Sequence, residues 1–487
     1  MRRETGEIVI YITAACSAAV GFYFGSLDFF SSLFLSLPFA SFGIMVSVLK
    51  GKNAKTLSAA FLCGAILLPI SVSVKDYSQL KENVPRVPQT VLSYNAFQGE
   101  LVRDSKLIKG GKTMYVVDLK WVESAEGIRY ISDSLGKALV FGWELPKINR
   151  GSLLRINAEL CTGDEKQPMT ASVSSASQVI LLGYSSFLMR IRSEIREVSF
   201  GGMGIFGGHA GGLMTALIWG DRDNLIPEEG EMFRNAGCAH VLALSGMHLG
   251  ILCGLLTLLI NPLLGRKSFY LVAGTVFLYI FIVGPLPSLN RAALMFVLGG
   301  FGKQRGRRVD LRIILLLSFL ILLFSDPASA FTLSFQLSFL ALGGIAFLAP
   351  SISEFFEAYI PKYISLPISA SIAAQFFTAP LLLGLFGTLR PIGIIAALIM
   401  TPLVTVFVWG GAMVLLFTFI LPAGFTVSIF NFQSAVIVRC ARFFSAFPGI
   451  TPPGWFEKAF IWVFCIIGIF MILFLRKRFK LPIILKG

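Results

Sequence analysis

Apolar runs too long to stay solvated recur along this chain, three before residue 75 and nine after residue 239, with one polar stretch between. Lipid offers backbone amides no partner, so a crossing segment must be a helix of about 20 mainly apolar residues. The first three candidates are 8–24, 29–49 and 56–72. The later nine are 240–261, 269–283, 289–302, 313–324, 331–348, 366–386, 391–420, 425–444 and 459–474. No convincing small-residue cleavage site follows the first run, which is read as an uncleaved span. A hydrophobic content of 55% with 14% charge, and a mean hydropathy of +0.76, exclude both a soluble globule and a disordered chain.

The net charge of +15 tests the span count. Residues 75–183 are nearly balanced in charge, so the surplus lies in the apolar parts and their short loops. Arg2 and Arg3 precede the first run, Lys50, Lys52 and Lys55 join the second to the third, and Lys303, Arg305, Arg307, Arg308 and Arg312 follow the sixth. Arg476, Lys477, Arg478 and Lys480 follow the last. With twelve spans all four clusters share one side, which the positive-inside tendency makes cytoplasmic, and both termini with them.

That topology exports residues 75–183, where the period changes. Tyr115, Val117, Leu119 and Trp121 alternate with Val116, Asp118 and Lys120, and Leu154, Ile156, Ala158 and Leu160 with Arg155, Asn157 and Glu159. Such half-buried strands, separated by turns at Lys109-Gly110-Gly111-Lys112 and Glu126-Gly127, predict a small barrel or sandwich. The expected organisation is then three spans in 1–74, an exported β domain in 75–183, an interfacial or re-entrant segment in 184–239, a helical membrane core in 240–476 and a basic cytoplasmic tail in 477–487. Within the third part, Arg190, Arg192, Glu194 and Arg196 on a Leu/Met/Ile-containing stretch predict a helix lying at the lipid surface. The run 213–219 is too short to span.

Polar residues in apolar surroundings mark where chemistry or packing is concentrated. The strongest cluster is Gly220-Asp221-Arg222, followed by the run from Ala236 to Gly250 with His240, Ser245 and His248. On a continuous helix Ser245 and His248 share a face, and His240 and His248 lie about 80° apart. Several readings compete. A metal site lacks a nearby acid or cysteine, and a nucleophile–base pair of Ser245 and His248 lacks both a Gly-x-Ser-x-Gly turn and a carboxylate. Interhelical packing through Gly246 and Gly250, four apart, or a polar passage would each use the same residues. Asn290 with Arg291 and the row Ser334-Phe335-Gln336-Leu337-Ser338 are further polar insertions, and Gln375 lies in a third segment.

Other chemistry lacks parts. There is no Gly-x-x-x-x-Gly-Lys-Ser/Thr loop, and His209, His240 and His248 are the only histidines. Of seven cysteines only Cys161 falls in the polar stretch, and no Cys-x-x-Cys spacing exists. No cofactor and no enzymatic activity are expected.

The run from Ala216 through Gly220-Asp221-Arg222, Phe233, Ala236-Gly237 and His240 to Ser245-Gly246-Met247-His248 resembles the signature of the ComEC competence-protein family. The resemblance continues through Pro287, Asn290-Arg291-Ala292-Ala293-Leu294-Met295, Asp310, Asp326-Pro327, Phe335-Gln336-Leu337-Ser338, Ala379-Pro380 and Thr401-Pro402. It implies a polytopic α-helical membrane protein of about 12 spans with an inserted exported OB-like β domain. It implies a channel carrying single-stranded DNA across the cytoplasmic membrane during natural transformation, with Asp221, Arg222, His240, Ser245, His248, Asn290, Arg291 and Gln336 in its polar core. An OB-like barrel would offer Arg103, Lys106, Lys109, Lys112, Tyr115 and Trp121 to the strand, although the alternation of Trp121 with apolar partners favours core packing. Many family members carry a C-terminal domain like metallo-β-lactamases, and no such motif follows the last apolar run here. The implied partners are single-stranded DNA, the lipid bilayer, a separate DNA receptor, a cytoplasmic translocase ATPase, a nuclease on another chain and a second copy in a homodimer. The competing functions are transport of another solute and an intramembrane Ser/His hydrolase.

Overall fold

The computed structural model describes residues 93–451, apart from 109–110, 125, 133–134, 162–168, 204–205, 207, 307–309, 327–328, 331 and 417–422. The expected spans at 8–24, 29–49, 56–72 and 459–474, the terminal basic clusters and Lys109 lie outside those residues. The described chain divides into two compact units, one ending at Gly202 and the other beginning at Met203.

The first unit contains β1 (Ser93–Leu101), β2 (Lys106–Leu107), β3 (Lys112–Ser124), β4 (Arg129–Ile131), β5 (Lys137–Trp143), β6 (Ser152–Ile156), β7 (Leu160–Cys161), β8 (Met169–Val173) and β9 (Val179–Tyr184). β1 pairs with β3, β3 with β5, β5 with β8, β8 with β7, and β7 again with β1, so five strands close on themselves. Only the β5–β8 pair in this ring is parallel. The predicted small β domain is therefore a barrel, and closure removes the edges that a sandwich would leave. Its interior is filled by Tyr94, Phe97, Leu101, Tyr115, Val117, Leu119, Val140, Leu154, Ile156 and Leu160.

One inward position in the predicted alternation is displaced. Gln98 pairs with Trp121 but the next residue, Gly99, pairs with Leu119, which leaves Lys120 as an extra residue in β3. This bulge resets the phase, because the extra residue moves everything after it to the opposite face. Tyr115, Val117 and Leu119 point inward before the bulge, and Val122 and Ser124 after it. Trp121 is half-exposed, contrary to the core packing that strict alternation favours.

Helix α1 (Phe187–Met203) covers the stretch predicted to lie at the lipid surface, and the structure corrects that prediction in part. Arg192 and Arg196 are buried instead of reaching towards headgroups. The Asp104 carboxylate accepts two 2.8 Å hydrogen bonds from Arg192 and lies 3.5 Å from Arg196. Asp104 also accepts from the Arg150 backbone N–H at 2.7 Å, and Arg196 Nε donates to Asn149 Oδ1 at 3.2 Å. The exposed side chains of the helix are the apolar Phe187, Leu188 and Val198 together with Arg190, Glu194 and Glu197.

The second unit is helical. It comprises α2 (Gly208–Trp219), α3 (Pro227–Asn235), α4 (Ala239–Leu242), α5 (Gly246–Leu264), α6 (Ser268–Val283), α7 (Pro287–Gln304), α8 (Leu311–Ser325), α9 (Leu333–Phe347), α10 (Ala349–Glu357), α11 (Lys362–Phe386), α12 (Gly393–Leu416) and α13 (Ala423–Ser445). Each predicted apolar run between 240 and 444 thus contains a helix. Length and composition single out Gly246–Val283, Lys362–Phe386 and Gly393–Val414 as able to cross a membrane, and a fourth crossing if the pair Leu333–Phe347 and Ala349–Glu357, bent by 44°, counts as one. The described chain is mostly helical and apolar; four of the twelve expected runs lie outside it, and the count of twelve is not confirmed. The run 391–420 is a single helix over its described part, continuous through Pro402.

α2 is too short to span, as expected, but every residue from Ala210 to Ile218 is buried. A helix lying at an interface keeps one wet face, and α2 has none. It packs on α12 and α13 through a cluster that includes Met214, Leu217, Phe233, Val404, Phe407 and Phe430. The Tyr279 hydroxyl donates to the Ile218 carbonyl, and the Trp409 indole N–H donates to the Ile251 carbonyl at 2.9 Å.

Candidate functional site

The helix predicted from His240 onward is broken. α4 ends at Leu242, Ala243 is extended, and Ser245 is the N-cap of α5. The Ser245 hydroxyl accepts from the Met247 N–H at 3.3 Å, and His248 reaches back so that its Nδ1 accepts from the Ser245 N–H at 3.3 Å. Ser245 and His248 therefore form a capping box, which meets the needs of orphan amides at a helix start. With Nδ1 accepting, the hydrogen-bond pattern assigns the ring proton to Nε2, which has no partner among the described residues. His240 is exposed and does not share a helix face with His248. Among the described residues the expected four-apart glycine contact is not made at Gly250, where a Cβ would meet nothing within 4 Å.

Gly246, by contrast, is required. A Cβ there would lie 2.9 Å from Arg291 Nη2 and 3.0 Å from Ala292 Cβ, so α7 approaches the first turn of α5 only because the side chain is missing. The Ser288 hydroxyl, also on α7, donates to the Leu244 carbonyl at 3.1 Å. Arg291 is 9% exposed. Its Nη1 donates to the Ser338 carbonyl of α9, and its guanidinium lies 5.7 Å from the centre of the Phe339 ring. Its Nε has no hydrogen-bond partner, and no carboxylate pairs with it among the described residues. Asn290 beside it is half-buried.

The other predicted polar residues take local roles. Asp221 Oδ1 accepts from the Asp223 N–H at 2.9 Å and shapes the loop after α2, where Arg222 is exposed. That loop nears the start of α5, since Gly220, at φ +73°, sits with its missing Cβ 3.3 Å from Leu244. Gln336 donates to the Ala330 carbonyl at 3.1 Å and stays with its own helix start. Gln375 donates at 2.7 Å to the carbonyl of Arg390, whose guanidinium reaches Asn235 Oδ1 at 3.0 Å. The structure thus gathers Ser245, His248 and Arg291 around one helix start, brings the Asp221 loop near it, and leaves His240 and Gln336 apart in role. An open depression of ≈ 610 Å³ along α5, lined by Gly250, Cys253, Gly254, Thr257, Asn261 and Phe296 among others, includes none of the predicted polar residues.

On the barrel, Arg103, Lys106 and Lys112 are exposed as expected. Tyr115 is not available for stacking: it is fully buried, its hydroxyl donates to the Pro146 carbonyl at 2.5 Å, and burial raises its pKa above the ordinary phenol value. An exposed aromatic on this barrel is Trp143, which sequence reasoning passed over. Trp143 is 55% exposed, pairs with Lys112 across β3 and β5, and has the Lys112 ammonium 5.3 Å from its ring centre. Leu139, Phe141 and Trp143 share the outer face of β5, an alternation visible in the sequence. Trp121 is flanked by Arg155 at 5.4 Å and Arg129 at 5.7 Å. Arginine over an aromatic ring gives a cationic stacking platform of the kind single strands use.

No cluster of three or more His, Cys, Asp or Glu side chains suited to a metal ion exists among the described residues.

The family profile described as "Competence protein" matches residues 217–479. ComE operon protein 3 of Bacillus subtilis (strain 168) is 31% identical over 231 residues, covering 46% of this chain and 29% of that protein. An uncharacterized protein of Aquifex aeolicus (strain VF5) is 27% identical over 255 residues, covering 52% of this chain and 59% of that protein. The matches thus span less than two thirds of either relative. No solved structure matches.

Proposed function

Because the chain belongs to the competence-protein family, matched over more than half of its length, we propose that it carries single-stranded DNA across the cytoplasmic membrane during natural transformation. The observation that carries this reading is the family match itself, which contains the Gly220-Asp221-Arg222 loop, the α5 start and Arg291 in one continuous segment. The name of the Bacillus relative, a ComE operon protein, supports the same role in DNA uptake.

The geometry is compatible in two places. The barrel's closed path, with a single parallel pair, supports its reading as an OB-like barrel, and Lys112 with Trp143 offers a charge and a π-face to one nucleotide. In the helical unit, polar side chains at the α5 start lie where a polyanion could be met by Arg291. On this reading the chain is a passive passage and not an enzyme. A separate receptor delivers the strand, another chain degrades its complement, and a cytoplasmic ATPase draws it inward. The chain sits in the cytoplasmic membrane with both termini inside.

The test is a deletion strain of a competent host, supplied with labelled donor DNA. Nuclease-resistant uptake should be lost and restored by the gene in trans. Uptake at the normal frequency in the deletion strain would reject the reading.

A further inference from the structure

We propose that Arg291 and the first turn of α5 form an oxyanion site that holds a phosphate group. Two centres of positive charge meet there. The start of a 19-residue helix carries the positive end of its dipole. Against it lies a guanidinium nine-tenths buried, with Nη2 2.9 Å from the point where a Gly246 Cβ would sit. Like charges pack this closely at a loss unless an anion lies between or beside them. Among the described residues no carboxylate does so. The Ser338 carbonyl takes Nη1 and the Phe339 ring lies 5.7 Å away, but Nε donates to nothing among the described residues.

Chemistry selects the anion. A guanidinium presents a planar fork of donors that matches two oxygens of a phosphate; the first-turn amides of Met247 and His248 are taken by the Ser245 cap, so the helix start contributes the field of its dipole. Gly246 acts as the spacer, because any side chain would separate the fork from the turn. The phosphate could belong to the backbone of a translocated strand or to a lipid headgroup. Assigning it to the strand rests on the transport reading; the site itself does not.

The full-length chain in phosphate-free maltoside detergent, probed with inorganic phosphate, tests the site. The thermal midpoint of the wild type should rise saturably with phosphate, beyond the effect of chloride at equal ionic strength. In Arg291→Gln the apparent affinity should be about tenfold weaker or lost. Gly246→Ala, which keeps the charge and displaces it, should weaken binding by about the same factor. Without phosphate, Arg291→Gln should unfold at or above the wild-type midpoint, because it removes an uncompensated cation. The proposal is overturned by a wild type indifferent to phosphate, by an equal phosphate shift in Arg291→Gln, or by a variant much less stable than wild type without phosphate, which would make Arg291 a pin to Ser338. An oligothymidylate that displaces phosphate assigns the site to a strand, and phosphatidylglycerol that does so assigns it to lipid; either keeps the site. A phosphate-binding chain whose deletion spares uptake keeps the site and loses the transport reading. A chain required for uptake without an Arg291-dependent phosphate effect does the reverse.

Discussion

Each unit of this chain buries an arginine, and the two are treated in opposite ways. Arg192, 1% exposed in the barrel unit, meets Asp104 through two parallel hydrogen bonds. Arg291, 9% exposed in the helical unit, meets a carbonyl and an aromatic ring. The contrast extends beyond the pair. Buried side-chain atoms without a hydrogen-bond partner among the described residues include His248 Nε2, Arg291 Nε, Ser318 Oγ, Ser369 Oγ and Gln433 Oε1, and all of these lie in the helical unit. Buried polar groups are normally paired because an unpaired one costs about 1–3 kcal/mol. Among the described residues the barrel unit leaves no buried side-chain polar atom without a partner, whereas the helical unit leaves several.

The comparison breaks most directly at its charges. Asp104→Ala removes the carboxylate that both Arg192 and Arg196 meet, and removing one partner of a buried pair costs about 3–5 kcal/mol. Amide exchange along α1 in the full-length chain should accelerate accordingly. Arg291→Gln should leave protection of α7 nearly unchanged in anion-free buffer. Equal losses at both sites would erase the distinction drawn between them.

A second effect sharpens it through pH. Burial alone would raise the Asp104 pKa, but the Arg192 hydrogen bonds, the charges of Arg196 and Arg192, and the Arg150 N–H hold it below the ordinary aspartate value. A carboxyl depressed in the folded state stabilises above its unfolded pKa of about 3.9 and loses that contribution as pH falls through the lower folded value. Protection of α1 should therefore hold from neutral pH down to the ordinary aspartate range and collapse only below it. In Asp104→Asn the acid step should disappear from exchange measurements.

Smaller effects test which barrel residues face a ligand. Trp143→Ala should weaken binding of an oligothymidylate, read by anisotropy, by about 1–3 kcal/mol, since one base would lose its stacking partner. Lys112→Ala should lower the slope of log affinity against log salt by about 0.7, as expected for one single-strand phosphate contact. Tyr115→Phe, the smallest, removes the hydroxyl bonded to Pro146, costs about 1 kcal/mol in unfolding and leaves DNA affinity unchanged.

Hydrophobic period made much of this legible. The run 269–283 predicts α6, and the alternation at Leu154 and Ile156 predicts a strand with both side chains inside the barrel. What failed depends on single-residue events that period cannot register. One extra residue, Lys120, turns Trp121 outward. A break at Ala243–Ser245 converts an expected helical Ser/His face into a capping box. Arg192 and Arg196 read as the polar residues of a helix at the lipid surface because their partner, Asp104, lies far away in sequence. In the candidate site, Arg291 and Gly246 stood out only as a polar insertion and a small residue, and their contact is a property of the fold.

The most direct measurement is nuclease-resistant uptake of labelled donor DNA by a competent host whose only copy carries Arg291→Gln, with membrane levels matched to wild type. Uptake should fall by at least about tenfold, the equivalent of one charge-assisted contact to the strand. Wild-type uptake by that strain would contradict a role for the open polar groups of the helical unit in moving a polyanion.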